Sequence, residues 1–323
     1  MQIFVTGASG FVGGAATRRL VADGHSVSAM SRSAGSDLKI EALGAQPVRC
    51  DLEDVTAAHL DSADVVIHAA AFVEPWGPKD AWDRLNVGGT RRMLAAAKAA
   101  GVRRFVHIGT EAAIVHGQHV HMADETVPLS LDSPYPYCRT KALAEQAVRQ
   151  ANDPAASFET VVLRPRFIWG PGDQTILPMI KAMAASGQWS WFDHGRAVTS
   201  TTHVENLVEA IVLALDSGRG GEAYFILDDG ERSMHEMISG MAASVGVALP
   251  ERSLPGWLGH AIGAVLEGTW RTLRLKGAPP LTRHAAMVMS RDCTLIGDKA
   301  RREMGYVPRI SVEEGLAALR NQG

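Results

Sequence analysis

Tyr137 and Lys141 stand four residues apart in the stretch PYPYCRTKALAE, in a segment rich in alanine and leucine. On a helix, positions i and i+4 share a face about 5–6 Å apart, so the two side chains project into one site. A phenol near its reference pKa of about 10 exchanges protons poorly at neutral pH, and a neighbouring ammonium stabilises its phenolate form. The pair therefore suggests acid–base chemistry at Tyr137. The competing reading is a surface lysine on a helix whose tyrosine packs inward, so the pair takes its weight from what surrounds it.

A second constellation opens the chain. TGASGFVGG follows the β-rich run QIFVT and begins a helical segment, which places Gly7, Gly10 and Gly13 at GxxGxxG spacing. Glycine lets the backbone approach a pyrophosphate closely, and a helix N-terminus supplies free N–H groups and the positive end of a dipole. The strand–turn–helix context predicts a dinucleotide-binding turn. Where an NAD site would carry Asp or Glu for the ribose 2′-hydroxyl, the second strand ends in SAMSRS, with Ser31 and Arg32. A guanidinium suits a 2′-phosphate, so NADP(H) is favoured over NAD(H). Asp51 in CDLED either accepts from the adenine amino group or caps a helix beginning near Glu53.

These residues need a scaffold, and the chain alternates accordingly. The runs QIFVT, HSVSAM, PVRC, DVVIHAA, RFVHIG and ETVVLRP are interleaved with helical patterns over 11–23, 80–100 and 136–151. Such alternation predicts an α/β fold with a doubly wound parallel sheet covered on both faces. Residues 1–165 form the nucleotide-binding lobe, to which 199–228 returns through the helix 203–215 and the strand 222–229. Residues 166–198 and 229–323 build a smaller C-terminal substrate-binding lobe over the strand ends.

Composition excludes several function classes. At 323 residues, 46% hydrophobic and 21% charged, the chain has enough material for two lobes. A net charge of −3 disfavours nucleic acid as a partner. Cys50, Cys138 and Cys293 are scattered and odd in number, as expected of a reduced cytoplasmic protein rather than a disulfide framework. No basic stretch followed by an apolar run marks a secretory signal at the start. The longest weakly charged segment, LPGWLGHAIGAVL, has 13 residues, too few to span a bilayer.

Taken in order, TGASGFVG, CDLED, HAAA (68–71), NVGGT (86–90), HIGTEAA (107–113), YCRTK (137–141) and LRPRFIWGPGD (163–173) resemble the extended short-chain dehydrogenases/reductases over nearly the whole chain. STTHVENL, PPLTR and the ending GYVPRISVEEGL are most similar to the 3β-hydroxysteroid dehydrogenase and dihydroflavonol-reductase branch. The resemblance implies a Rossmann-type fold and a catalytic set of Thr110, Tyr137 and Lys141, with Asn86 organising a water near Lys141. Tyr137 would pass a proton to or from the substrate oxygen, and Lys141 would depress the tyrosine pKa. The family usually shows two adjacent serines where this chain has Gly109 and Thr110. Counting back from Gly117 puts Ala112 in that register, whereas the strand end in HIGT favours Thr110. The cofactor contacts implied are Gly7, Ser9, Gly10, Phe11, Val12, Gly13, Ser31, Arg32, Asp51, Leu52, Ala69, Ala70, Ala71, Tyr137, Lys141, Pro165, Phe167 and Ile168.

The function this implies is an NADP(H)-dependent oxidoreductase interconverting a secondary alcohol and a ketone, or reducing an aldehyde, on an apolar substrate, with steroid-like molecules among the candidates. One alternative is a sugar-nucleotide epimerase or dehydratase with tightly bound NAD(P). Its dehydratase version needs an Asp–Glu pair after the hydroxyl residue, and here Glu111 is followed by Ala112. The other is a nicotinamide-sensing protein without catalysis, against which the intact Tyr137 and Lys141 argue. The resemblance also implies a homodimer through the helices 80–100 and 136–151. His116, His119 and His121 in HGQHVH read as a solvated loop beside the pocket rather than a metal site. Trp257, Leu258, Ile262, Val265, Leu266, Trp270 and Leu273 fall at helical spacing, either as a core stripe or as a lipophilic lid or interfacial patch over 254–275.

Overall fold

The computed structural model describes residues 1–78 and 80–321. Seven strands form the main sheet: β1 (Gln2–Thr6), β2 (Ser26–Ser31), β3 (Gln46–Arg49), β4 (Val65–His68), β5 (Arg104–Ile108), β6 (Glu159–Pro165) and β7 (Glu222–Ile226). All pairings are parallel, and the spatial order is β7-β6-β5-β4-β1-β2-β3. The helices are α1 (Phe11–Ala22), α2 (Ala34–Glu41), α3 (Gly89–Ala99), α4 (Pro136–Gln150), α5 (Ile176–Ala185), α6 (Val204–Leu213), α7 (Met234–Ser244), α8 (Gly256–Thr272), α9 (Arg283–Ser290), α10 (Asp298–Met304) and α11 (Val312–Arg320).

Successive strand residues point to opposite faces, and both faces are dry. Ile3, Val5 and Ile67 pack with Ala16 and Leu20 of α1 and Leu207 and Ile211 of α6. Phe4, Val66 and Phe105 pack on the other side with Met93, Leu94 and Ala97 of α3 and Val148 of α4. The doubly wound sheet expected from the alternation is present, and its direction of winding reverses between β1 and β4. Ligands of open α/β sheets bind in the crevice at that reversal.

Three elements differ from the sequence expectation. The helix expected over 80–100 starts with a π-helical turn, Asp83–Gly88, before α3. Its Asn86 carboxamide accepts from the Phe72 N–H at 2.7 Å and donates to the Phe72 carbonyl and Thr140 Oγ1, both at 3.2 Å. The widened turn aims Asn86 at those partners, as π-bulges at functional sites commonly do. The strand expected over 222–229 stops at Ile226 because Asp228 leaves the ladder to accept from Trp169 Nε1, Thr201 Oγ1, the His203 N–H and Asn206 Nδ2, each at 2.7–2.8 Å.

The third difference concerns 254–275. The buried residues of α8 are Gly256, Gly259 and Gly263, while Trp257, Val265 and Leu273 are 71%, 68% and 64% exposed. A Cβ at Gly259 would collide with Phe192 and one at Gly263 with the backbone of Thr282 and Arg283, so the glycine seam is what lets α8 close on its neighbours. The core-stripe reading is thereby corrected for Trp257, Val265 and Leu273. A separate tryptophan core forms around Trp169, Trp189 and Trp191 with Met234, Met237, Ile238 and Leu319. Among the described residues, no helix is long and apolar enough to cross a membrane.

A second sheet of four short strands, absent from the sequence reading, orders Arg232–Ser233, Val198–Thr199, Cys293–Leu295 and Val120–Ala123 side by side.

Candidate active site

The glycine turn at the end of β1 is built without room for side chains. Gly7 has φ +77°, a conformation glycine adopts freely, and a Cβ on it would press on the backbone of Ala69 and Ala70 at 3.0–3.2 Å. A Cβ on Gly13 would lie 2.3 Å from the Gly7 carbonyl oxygen. Gly10 donates its N–H to Gly7 O at 2.9 Å and caps α1 without a side-chain hydrogen bond, and the first turn of α1 carries no acidic residue. Ser9, Phe11 and Val12 complete this turn, whose open N–H groups and dipole favour an anion. Across the crevice Ala69, Ala70 and Ala71 follow β4, half-buried, with the Ala70 N–H donating to Thr6 Oγ1 at 3.0 Å.

At the outer edge Ser31 is buried and donates to Asp37 Oδ1 at 2.5 Å, while Arg32 is exposed. Asp37 is paired in turn with Arg49, which the β2–β3 register sets opposite Ser31. Arg49 was missed in the sequence because it closes a short strand with no motif of its own. Asp51 accepts from the Glu53 N–H at 2.6 Å. It closes a turn, and the helix expected from Glu53 is absent; the next helical residues are Ala57–Leu60. Leu52 is buried, and its carbonyl accepts from Arg92 Nε at 2.6 Å.

The catalytic candidates converge at the C-terminal end of β5. Pro136 sits in the first turn of α4, where its missing N–H costs nothing, and Tyr137 and Lys141 follow one turn apart. Lys141 is 4% exposed and donates from Nζ to the Ile108 carbonyl at 2.9 Å. Burial pushes its pKa down to about 8, against the attraction of Glu145 one turn further on. Glu145 is itself fully buried on Arg164 of β6. Thr110 stands two residues beyond β5, accepts from the Ala112 N–H at 3.2 Å and donates to Glu111 Oε2 at 2.7 Å. The Tyr137 ring packs against a buried cluster that includes Ala112, Ile114 and Cys138. Of the two registers left open by the sequence, Thr110 carries a hydroxyl and Ala112 lies two residues further on, in the 3-10 turn Glu111–Ile114.

The electrostatics correct one expectation. Burial first, and the Glu111 carboxylate second, push the Tyr137 pKa well above its ordinary range, and hydrogen bonding to Thr110 opposes this only in part. Tyr137 is a neutral phenol in this arrangement.

Three further residues surround the phenol that the sequence reading passed over. Glu111 is 6% exposed and ion-paired with Arg166, which is 4% exposed and also donates from Nε to Thr199 Oγ1 at 3.0 Å. The His284 ring lies 5.6 Å from the Tyr137 ring and 5.8 Å from that of Tyr135, and burial pushes its pKa down to about 4, keeping it neutral. The only signal for His284 was its place after PPLTR. Asn86 is tied to Phe72 and Thr140, so it braces α4 against the loop after β4.

Pro165 ends β6 and Ile168 begins the short pairing with Thr202–His203; between them Phe167 has φ +43°, a left-handed conformation costly for a side chain of that size. In the histidine loop, His119, His121 and Asp292 come together, with Nδ1 of His119 3.2 Å from Asp292 Oδ2 and Arg291 Nη1 on His119 Nε2 at 2.9 Å. His116 lies apart, 3.6 Å from Asp132.

Comparison with known proteins agrees with this geometry. The model of the 3-beta hydroxysteroid dehydrogenase/isomerase family matches residues 4–256. A 4-hydroxy-2-methyl-3-oxo-4-farnesyl-3,4-dihydroquinoline-1-oxide ketoreductase of Stigmatella aurantiaca is 39% identical, over 100% of this chain and 97% of its own. A 2-alkyl-3-oxoalkanoate reductase of Stenotrophomonas maltophilia is 37% identical over 99% and 98%. The crystal structure of a UDP-glucose 4-epimerase from Thermotoga maritima superposes with a TM-score of 0.77 over 99% of this chain and 98% of that one, at 20% identity, and shares the fold. The relatives at 30% identity or more are reductases and hydroxysteroid or sterol dehydrogenases, so the epimerase and dehydratase alternatives are not favoured, nor is a non-catalytic sensor. The protein belongs to the 3-beta hydroxysteroid dehydrogenase/isomerase family, within the extended short-chain dehydrogenases/reductases, and is an oxidoreductase.

Proposed function

We propose that the protein is an NADP(H)-dependent ketone reductase acting on an apolar substrate, with Tyr137 as the proton donor. The observation that carries this is the convergence of a neutral phenol, the Thr110 hydroxyl and the buried Lys141 ammonium at the strand ends, beside a glycine turn that excludes any Cβ. The residues fit a nicotinamide dinucleotide: the Gly7–Gly13 turn for the pyrophosphate, Ala69–Ala71 for the opposite wall, Asp51 and Leu52 toward the adenine, and Pro165, Phe167 and Ile168 toward the carboxamide. Arg32, exposed directly after Ser31 at the end of β2, supports the 2′-phosphate form, the nearby Asp37 carboxylate being paired with Ser31 and Arg49. When bound, the cofactor supplies or takes the hydride. The strained Phe167 backbone supports a ligand-facing role for its segment.

At the substrate oxygen, the O–H bond of Tyr137 breaks as that of the product alcohol forms, and solvent returns the proton to the phenolate. A phenol held neutral suits the donor role, and hence reduction. The two reductase relatives named above act on ketones carrying farnesyl or alkyl chains by their own names, which supports an apolar substrate. The same reading divides the chain into a cofactor lobe (1–165 with 199–228) and a substrate lobe (166–198 with 229–323). It includes a homodimer through the outer faces of α3 and α4, for which light scattering at micromolar concentration should give twice the 34.5 kDa chain mass. The test of the chemistry is Tyr137→Phe: a panel of alicyclic, steroid and 3-oxoalkyl ketones, followed at the nicotinamide absorbance, should show turnover that this variant loses by at least about a hundredfold. Intact turnover in the variant would remove Tyr137 from the reaction.

A further inference from the structure

We propose that the cavity between the loop after β4 and the end of α8 is an anion subsite, and that the ketone substrate carries a carboxylate on its apolar body to fill it. The inference rests on the ketone-reductase reading and narrows its substrate class.

The cavity has a volume of about 490 Å³ and is lined by Trp76, Gly77 and Pro78 on one side and by Trp270, Arg271 and Arg274 on the other. β4 borders the reversal of strand order, so the loop leaving its C-terminal end runs beside the crevice where ligands of such sheets bind. This loop is anchored. Asn86 binds both the N–H and the carbonyl of Phe72, and Gly77 packs so closely on the Phe72 ring that a Cβ would lie 3.0 Å from it. On the opposite wall, α8 packs through Gly263 on the backbone of Thr282 and Arg283, next to His284, whose ring lies 5.6 Å from that of Tyr137.

The cations of this cavity are unspent. Among the described residues, neither Arg271 nor Arg274 pairs with a carboxylate. Glu267 stands one turn before Arg271, where an i,i+4 ion pair would form, yet both its oxygens are taken by Arg283, from the N–H at 2.7 Å and from Nε at 2.8 Å. The Arg271 guanidinium instead lies over the Trp76 ring, 4.4 Å from its centroid. A guanidinium held over an aromatic face keeps N–H groups free at its edge, and two of them can take a carboxylate side by side. The buried Trp270 indole N–H has no acceptor either.

Arg274 occupies a costly position. α8 ends at Leu273, and the Leu275 N–H donates to the Trp270 carbonyl at 3.0 Å, the closing bond of a Schellman turn, with Arg274 at φ +50° in its left-handed place. Glycine is the usual residue there, because a Cβ is strained in that conformation. A strained position given to a long cation, on the rim of a cavity that already holds one free guanidinium, points to a ligand that needs both. The cofactor's phosphates are met elsewhere in the reading above, at the glycine turn and Arg32, so this anion belongs to the substrate.

The experiment compares oxo acids, from 3-oxoalkanoates to steroid-like acids with the carboxylate far from the ketone, each against its methyl ester, by kcat/KM at the nicotinamide absorbance. The best acid should exceed its ester by about ten- to a hundredfold, the worth of charge-assisted hydrogen bonds. In Arg271→Leu and in Arg274→Gly the KM of that acid should rise by at least about tenfold with kcat nearly kept, because the contact is made equally before and in the transition state. A purely structural role would move acid and ester together. Arg274→Gly should also raise the thermal midpoint by about 1–2 °C, the relief of one left-handed side chain in a chain of this length. A midpoint that falls would return Arg274 to the fold and overturn its part. Esters reduced as well as acids throughout the panel, or a preference that survives both substitutions, would overturn the proposal and leave the reductase reading standing. Should the wild type reduce nothing, calorimetry with the same acids and esters still decides. An acid bound at least about tenfold tighter than its ester, with the difference lost in Arg271→Leu, upholds the subsite while the reductase reading falls, and equal binding overturns both.

Discussion

Lys141→Met should separate the enzyme's stability from its chemistry. The lysine is buried, and its pKa falls from 10.5 to about 8 in the folded protein. Near pH 7 the ammonium is retained in both states, and keeping it inside costs about 2.5 pKa units at about 1.4 kcal/mol each, on the order of 3 kcal/mol. Methionine of similar length removes that cost, but it strands the Ile108 carbonyl, which now accepts from Nζ at 2.9 Å, for a loss of about 1–3 kcal/mol. The variant should therefore be as stable as the wild type or up to about 2 kcal/mol more stable near pH 7, while losing activity. The pH dependence is the sharper readout. The unfolded lysine holds its proton up to about pH 10.5 and the folded one releases it near about 8, so between these values the unfolded state binds more protons and stability rises with pH. Urea unfolding of both proteins from about pH 7 to 10 should show the wild type gaining on the variant by up to about 3 kcal/mol, other groups cancelling in the difference. A difference that stays flat across that range would refute the argument that burial, rather than hydrogen bonding, sets the state of Lys141.

Other outcomes follow from the same geometry. Gly13→Ala places a methyl 2.3 Å from the Gly7 carbonyl oxygen, so the turn must open; cofactor affinity read by nicotinamide fluorescence should drop more than about tenfold, with about 1–3 kcal/mol of stability lost in thermal unfolding. Arg32→Asp should lower the ratio of kcat/KM for NADPH over NADH by about ten- to a hundredfold, the worth of a charge-assisted contact to the 2′-phosphate; an unchanged ratio would clear Arg32 of that role. Trp257, 71% exposed at the start of α8, with Arg271, Arg274 and Lys276 at or just past the other end, should insert into anionic vesicles, so that co-sedimentation with phosphatidylserine-containing lipid weakens about tenfold in Trp257→Asp and in high salt.

The parallel sheet was legible in the sequence because both its signals are local: short β-branched runs, and helices of the right length between them. The glycine turn was legible for the same reason, since Gly7, Gly10 and Gly13 answer to clashes within one supersecondary unit. Tyr137 and Lys141 were readable as a pair from helical spacing, but took their weight from the motifs around them. What the spacing did not hold was the state of the phenol, because that depends on Glu111, on a different element, and on the depth at which both are buried. Arg166 and His284 reach the site from segments 55 and 173 residues away from Glu111, and no periodicity links positions so distant. The outward face of α8 was ambiguous for a related reason: a helix with apolar residues and a glycine seam reads as amphipathic in either sense until its neighbours are known.

The small sheet has a consequence for biosynthesis. Its strand Val120–Ala123 pairs with Cys293–Leu295, and that strand pairs with Val198–Thr199, whose Thr199 steadies Arg166. A ribosome will have released most of the chain before this brace closes, so the nucleotide crevice is complete on the nascent protein well ahead of the wall beside the phenol. Premature stops before Cys293 should accordingly yield products that still capture dinucleotide yet leave Glu111 and Arg166 without their outer support.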